Sequence, residues 1–326
     1  MLEPTPDISQ LITGKHPAQM RQLGRMTNAL ATTILPSGKV GYVDYPMHIN
    51  VGDLLIFLGA MNFFNWNNNS IPTSFCLYDG QKNAFDSLGD VDVIVCHGGG
   101  NFGDIYPHHQ ILREKIIKAF PHKPVVIMPQ SMHFTSRETM EKSAAVFKAH
   151  DNVSIYMRDQ ESFDIARNHF SDQVFLSPDM AHRLYDNFAP VRNNVKHEQN
   201  PFFLMRRDIE APPDNKNTTR GKDWKDIMRF GEKLRIERHR LTTRLAGRLD
   251  APAPHILPAY HRTINSVVHA IAMRIGGHNP WTTSRLHGAI LGLLLARTVN
   301  LSDNSYGKNA RYFSAWGQNL VHMISR

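Results

Sequence analysis

A chain of 326 residues with 41% apolar and 20% charged residues is long enough for two domains, and its composition excludes a disordered or low-complexity polypeptide. No run of about 18 apolar residues occurs, so no helical membrane span is expected; Leu54 to Phe64, the longest candidate, is interrupted by Gly59 and Asn62. A net charge of +8 and a pI ≈ 9.5 call for anionic partners without choosing among nucleic acid, lipid surface and phosphorylated metabolite.

The N-terminus lacks the basic patch and apolar run of a signal peptide. Cys76 and Cys96 lie in strand-like runs and are expected to be buried, reduced thiols, which suits a cytoplasmic protein. In chain order, Val40-Gly41-Tyr42-Val43-Asp44 reads as a strand and Asp53 to Phe64 as the helix after it. Phe75-Cys76-Leu77-Tyr78 and Val91 to Cys96 read as strands two and three. A helix from His109 to Phe120, a strand from Val125 to Met128 and a helix from Ser136 to His150 are expected next. A strand from Val153 to Met157, a helix from Glu161 to His169 and a strand from Val174 to Leu176 complete the series. Short β-branched runs alternating with amphipathic helices predict a parallel sheet covered on both faces, a doubly wound domain over residues 1–185. Residues 186–200 are polar and aperiodic and are read as a linker. A smaller α/β domain is expected over 201–326, opening on a strand at Phe202 to Met205. It would hold a loop at 208–225, a long basic helix from Asp226 to Arg248 and a helix from His261 to Ile275. A strand near Trp281, a helix from His287 to Ala296 and a strand from Val299 to Leu301 would close it.

In open parallel sheets ligands bind beyond the carboxyl ends of the strands, and five such places carry chemistry. His97-Gly98-Gly99-Gly100-Asn101-Phe102-Gly103-Asp104 follows the third strand, where glycines let backbone N–H groups approach an anion. It is no Walker loop, because no Gly-Lys-Ser/Thr follows, and the next strand ends without the acid of a dinucleotide site. Asn50-Val51-Gly52-Asp53 opens the first helix, with Asp53 either its cap or a ligand contact. Pro129 is expected to end the fourth strand, leaving Gln130, Ser131 and His133 at its edge. Arg158-Asp159 and Arg206-Arg207-Asp208 place guanidinium forks suited to carboxylate or phosphate at two strand ends, although a surface ion pair explains such neighbours too.

The sharpest segment is Thr283-Ser284-Arg285-Leu286-His287-Gly288-Ala289. Ser284 reads as a helix cap, and Arg285 as a cation opposed to the helix dipole unless an anion binds there. His287 would then exchange a proton beside the same anion. The basic helix, with Arg229, Lys233, Arg235, Arg238, Arg240, Arg244 and Arg248, reads as a solvated face or as contact with an anionic membrane or phosphate-bearing acceptor.

Taken in order, Asn50–Asp53, Gly98–Asp104, Pro129–Phe134, Arg158-Asp159 with Glu161-Ser162, Ser177-Pro178-Asp179, Arg206–Asp208 and Ser284–Gly288 resemble the polysaccharide pyruvyltransferase family. The resemblance spans roughly residues 40–305, with Gly-Gly-Gly-Asn-Phe-Gly-Asp and Ser-Arg-Leu-His-Gly its most specific blocks. It implies two Rossmann-like domains similar to the glycosyltransferase-B architecture and transfer of a pyruvyl group from phosphoenolpyruvate to two sugar hydroxyls of an exopolysaccharide unit. The donor would lie on the 201–326 side and the acceptor, a lipid-linked oligosaccharide, on the 1–185 side. Arg285, Leu286 and Ser284 would hold the donor together with Arg206, with Arg207 and Arg158 as further arginines. His287 would be the acid or base, His133 a second candidate and Asp104 the acidic residue of the glycine block. Asp53, Gly99, Gly100, Asn101 and Gln130 would line the remaining contacts.

Phosphoenolpyruvate would be a co-substrate and no cofactor is expected. No metal is expected either, since the adjacent His108 and His109 point to different sides of a helix. Nucleic acid is not an expected partner, and location is read as cytoplasmic, with peripheral contact at the inner membrane face. The competing expectation is a nucleotide-sugar glycosyltransferase on the same fold.

Overall fold

The computed structural model describes residues 15–76, 85–196, 198–211, 221–248 and 256–324. The chain forms two compact units, and both are discontinuous. One comprises Thr27–Ala181 and Met228–Val268; the other comprises Met1–Met26, His182–Ile227 and His269–Arg326.

The larger unit is built on a parallel sheet of order β2-β1-β3-β5-β6-β7, with β4 also paired to β5. Its strands are β1 (Lys39–Val43), β2 (Ser70–Phe75), β3 (Val93–Cys96), β4 (Gly99–Gly103), β5 (Val125–His133), β6 (Val153–Met157) and β7 (Gln173–Leu176). Central β3 and β6 are buried throughout, whereas edge strands β2 and β7 alternate, as a sheet covered on both faces requires. Val51–Trp66 is almost wholly buried and packs so closely that a Cβ at Gly59 would lie 2.0 Å from the Met180 carbonyl.

Two sequence expectations change here. Pro129 does not end β5: the strand shifts register between Ile127 and Gln130 and runs on to His133. The glycine block is not an open loop, since Gly99–Gly103 extends as β4 along that longer β5. Gly99 and Gly103 adopt φ of +134° and +135°, conformations costly for other residues. Phe102 anchors the block among Phe147 and Phe170, each ring pair with centroids 5.4 Å apart.

The basic helix also departs from expectation. A short helix, Trp224–Ile227, precedes Phe230–Arg248, and the latter belongs with the larger unit. There Thr243 Oγ1 lies 3.7 Å from Met47 Sδ, and Tyr260 donates to the Pro46 carbonyl at 2.5 Å.

The smaller unit carries a parallel sheet of order β11-β10-β9-β8, from Phe202–Leu204 (β8), Trp281–Thr283 (β9), Val299–Leu301 (β10) and His322–Met323 (β11). Leu286–Leu294 crosses from β9 to β10 and Lys308–Trp316 from β10 to β11. The expected linker is structured: Asp186–Phe188 and Ala189–Asn194 are helical because Phe188 and Val191 are buried, while Arg192 donates to the Leu294 carbonyl at 2.7 Å. Leu77 and Tyr78, expected in a strand, lie outside the described residues.

Candidate active site

Charged side chains converge where β8, β9 and β10 end. Met205–Asp208 follows β8, Ser284–His287 follows β9, and Ser302–Asn304 follows β10. Ser284 is not the helix cap: its Oγ accepts from the Arg206 amide at 2.9 Å, tying two strand ends together. Arg285 is itself the N-cap residue of Leu286–Leu294, with no side-chain cap bond. Its own amide donates to Thr283 Oγ1 at 3.0 Å.

Arg285 is 8% exposed, and its guanidinium is clasped along one edge by Asp223, at 2.6 Å from Nε and 2.8 Å from Nη2. Asp208 adds a contact of 3.1 Å to Nη2. Nη1 has no protein partner among the described residues, so one arm of the fork is available. Arg206 bonds to Glu210 through Nη1 and lies 3.1 Å from Asp208 through Nε. Glu210 also accepts from Tyr306 at 2.9 Å and Asn304 at 3.3 Å, with Lys308 Nζ at 3.7 Å. Arg207 turns to Asp226 at 3.0 Å and is half exposed.

This arrangement sets the ionisation. Burial is the largest single influence on Glu210 and opposes its charge, yet Lys308, Arg206 and Tyr306 together hold its carboxyl far below the usual range. Asp223 behaves alike: burial pushes up, and the Arg285 clasp outweighs it. The Tyr306 hydroxyl is driven up by burial and then by Glu210. Glu210 and Asp223 are thus held as carboxylates, which positions the forks of Arg206 and Arg285. His287, half-buried, is the second residue of the helix, two positions after Arg285, whose side chain makes no cap bond to the first turn.

A second cluster occupies the carboxyl edge of the large sheet. Asn50 caps Val51–Trp66 by accepting from Gly52, and Asp53 in the first turn accepts from Asn50 Nδ2 at 2.8 Å and lies 3.4 Å from His48. Asp44, in the left-handed region with φ 64°, holds His109 at 2.8 Å and has Arg113 at 4.0 Å. Arg113 in turn donates to the side chain and carbonyl of Asn101. His97 shares a 2.5 Å hydrogen bond with Tyr42, and its carbonyl accepts from Gln130 Nε2 at 2.7 Å. Burial lowers the His97 pKa to about 4. His97 Nε2 and Gln130 Oε1 are buried without a protein partner among the described residues.

The remaining expected residues have other surroundings. Arg158-Asp159 is no surface pair: both are fully buried, Arg158 bonding Asp179 and, at 3.1 Å, Ser131. Asp159 caps Gln160–His169 through the Ser162 amide. Asp104 accepts from Thr135 and Ser136; partial burial is the largest single influence and raises its pKa, but these bonds together outweigh it and lower the pKa. His133, half-buried, pairs with Gly103 across β4 and β5, and Gly100 lies within β4. Gly99 faces Asp53, whose Oδ1 would be 3.8 Å from a Cβ there. The sequence reading named His97 only as the start of the glycine block, and missed Asp44, His109, Glu210, Asp223, Tyr306 and Lys308. Asp44 and His97 directly follow strands, so the strand-end rule reaches them; Glu210 and Asp223 carry no such local signal.

Both cysteines are buried free thiols, and burial raises Cys96 to about 12. Among the described residues no group of His, Cys, Asp and Glu could hold a metal, and no helix is long and apolar enough to cross a membrane.

Residues 50–299 match the family model described as Polysaccharide pyruvyl transferase. The chain is 32% identical over 309 residues to EpsO of Bacillus subtilis (strain 168), a protein named for pyruvyl transfer, covering 91% of each. It is 28% identical over 181 residues to Pyruvyl transferase 1 of Schizosaccharomyces pombe, covering 53% of this chain and 45% of that one. The solved structure of KP1_0663 from Klebsiella pneumoniae subsp. pneumoniae NTUH-K2044, described as a functionally uncharacterized protein, superposes with a TM-score of 0.58. The two are 20% identical, with 94% of this chain and 99% of that one covered, a likeness of fold.

Proposed function

This chain belongs to the polysaccharide pyruvyl transferase family and is an enzyme of pyruvyl transfer to polysaccharide; from that premise we propose that phosphoenolpyruvate is its donor and a pyruvate ketal its product. The observation that carries the reading is the convergence of Arg285, His287 and Arg206 at one sheet edge, with a helix start that Arg285 does not cap and an Arg285 Nη1 that has no partner among the described residues. A donor bearing both carboxylate and phosphate calls for two guanidinium groups, and Arg285 and Arg206, which share Asp208, are the pair at this edge. Arg207 is a further cation at this edge, while Arg158, sealed in its pair with Asp179, is read as structural.

His287 protonates C3 of the enol, making C2 electrophilic. A sugar hydroxyl adds at C2 and loses its proton, the C–O bond to phosphate breaks with arginine support, and a second hydroxyl closes the ketal with loss of its proton. The edge of the large sheet is the acceptor side, with Asp53, Gly99, Gly100, Asn101, Gln130 and His133. A hydroxyl both donates and accepts, matching the buried His97 Nε2 and Gln130 Oε1. Each unit is read as one Rossmann-like half of a glycosyltransferase-B-type architecture. An exopolysaccharide repeat unit assembled in the cytoplasm on a lipid carrier is the proposed acceptor, with no cofactor.

The test is phosphoenolpyruvate binding by calorimetry, followed by phosphate release and mass analysis of an acceptor oligosaccharide. Wild-type binding, lost by about 10²-fold or more in Arg285→Ala, is expected. A glycosidic product with release of a nucleoside diphosphate would overturn the donor.

A further inference from the structure

The helix Phe230–Arg248 has apolar residues on two opposite faces. At 100° per residue, Glu232, Ile236, His239 and Thr243 lie on one side. Ile236, Thr243 and Glu232 are buried, and His239 bonds Thr263 at 2.9 Å. The inward face is therefore satisfied within its own unit.

Phe230, Leu234, Leu241 and Leu245 fall within about 60° of arc on the opposite side. They are 81%, 57%, 59% and 47% exposed. A single exposed leucine is ordinary, but four large apolar side chains in line along one helix form a stripe with no folding role. Cations border it on both sides: Arg235 and Arg238 along one, Lys233 and Arg244 along the other. Of the acidic residues of the helix, Glu232 faces inward, accepting from the Arg229 amide, and Glu237 pairs with Arg240.

We propose that this helix is a docking surface for an anionic lipid bilayer, lying in the interface with the apolar stripe at acyl depth and the two basic rows against headgroup phosphates. An apolar strip flanked by arginine and lysine is what such a surface recognises, through buried apolar area and through charge together. A second copy of the chain fits less well, since a twofold pairing of the stripes would bring basic rows against basic rows. The 19 residues of the helix give a contact about 28 Å long, enough to orient the whole protein on a surface. The proposal does not depend on the donor or the reaction.

The test is flotation of the full chain with vesicles of phosphatidylcholine alone and with phosphatidylglycerol added. Binding only to the anionic vesicles, weakened by salt, is expected. Leu234→Ser with Leu241→Ser should lower the partition by about tenfold or more, and Arg235→Ala or Arg238→Ala by about fivefold each, with unchanged thermal unfolding because all four positions are exposed. No wild-type binding, or equal binding to both vesicle types, overturns the proposal. So does a dimer in light scattering that Leu234→Ser with Leu241→Ser dissolves, which assigns the stripe to a second copy. No substrate enters the assay, so its failure is separate from failure of the donor assignment.

Discussion

Arg285 shows how a single residue combines a structural and a chemical role. Its charge at a helix start is unfavourable by itself. Asp223 and Asp208 offset it and fix the plane of the fork, with no partner on Nη1 among the described residues. His97 makes the opposite case, a titratable group kept neutral. Its pKa is lowered from 6.5 to about 4, so the folded state resists taking a proton that the unfolded chain accepts. The stability this protects is fully present above pH 6.5 and is lost as pH falls toward 4. At its steepest this single proton contributes about 1.4 kcal/mol per pH unit. Urea unfolding followed across that window should show the slope. His48 is lowered too and adds to it. His97→Gln, which keeps a hydrogen-bonding partner for Tyr42, should flatten the slope by one proton's share; an unchanged slope would show that His97 titrates normally.

Among the elements, β4 departs most from what its composition suggests. Glycine-rich sequence after a strand reads as a flexible cradle, yet Gly99–Gly103 is paired along β5 and anchored by Phe102. The need for glycine is steric as much as conformational: a Cβ at Gly103 would fall 1.7 Å from the His133 carbonyl oxygen. Gly103→Ala is therefore expected to destabilise the protein by about 3 kcal/mol or more, read as a lowered thermal midpoint or loss of soluble protein. A variant as stable as wild type would mean that β4 is not held against β5. The strands themselves were legible, because Val-Ile-Val-Cys or Val-Ser-Ile-Tyr-Met buried on both faces has no other reading at that length. The placement of Arg206, Arg285 and His287 at strand ends was equally readable. Two things were not: the extension of β5 through Pro129, which a register shift accommodates, and the carboxylates Glu210 and Asp223. Those acids act from the stretch between β8 and Phe230–Arg248, where no periodicity marks which side chain turns inward.

At the scale of the whole molecule, the units do not follow the chain. Polar residues near 190 suggested a boundary, but Phe188 and Val191 bind that stretch into the smaller unit. The helix His16–Met26 belongs there as well: Met20 and Leu23 are fully buried, and Arg21 meets Asp186 at 2.9 Å. Residues 228–268 return to the larger unit. A chain limited to residues 201–326 would lack the first helix and carry a segment with no unit to join. It is expected to show no cooperative melt by circular dichroism and no dispersed amide spectrum; a cooperative transition would contradict the partition.

Interleaving of this kind bears on the protein's first minute. The helix His16–Met26 leaves the ribosome before the rest of its unit, which resumes only at His182. At roughly 5–20 residues per second, the nascent segment carrying Met20 and Leu23 waits about 8–30 s before its first partner emerges. Throughout that interval two greasy side chains sit in the open on an unfinished polypeptide, so the yield of active protein depends on the speed of translation and on whatever shields this helix.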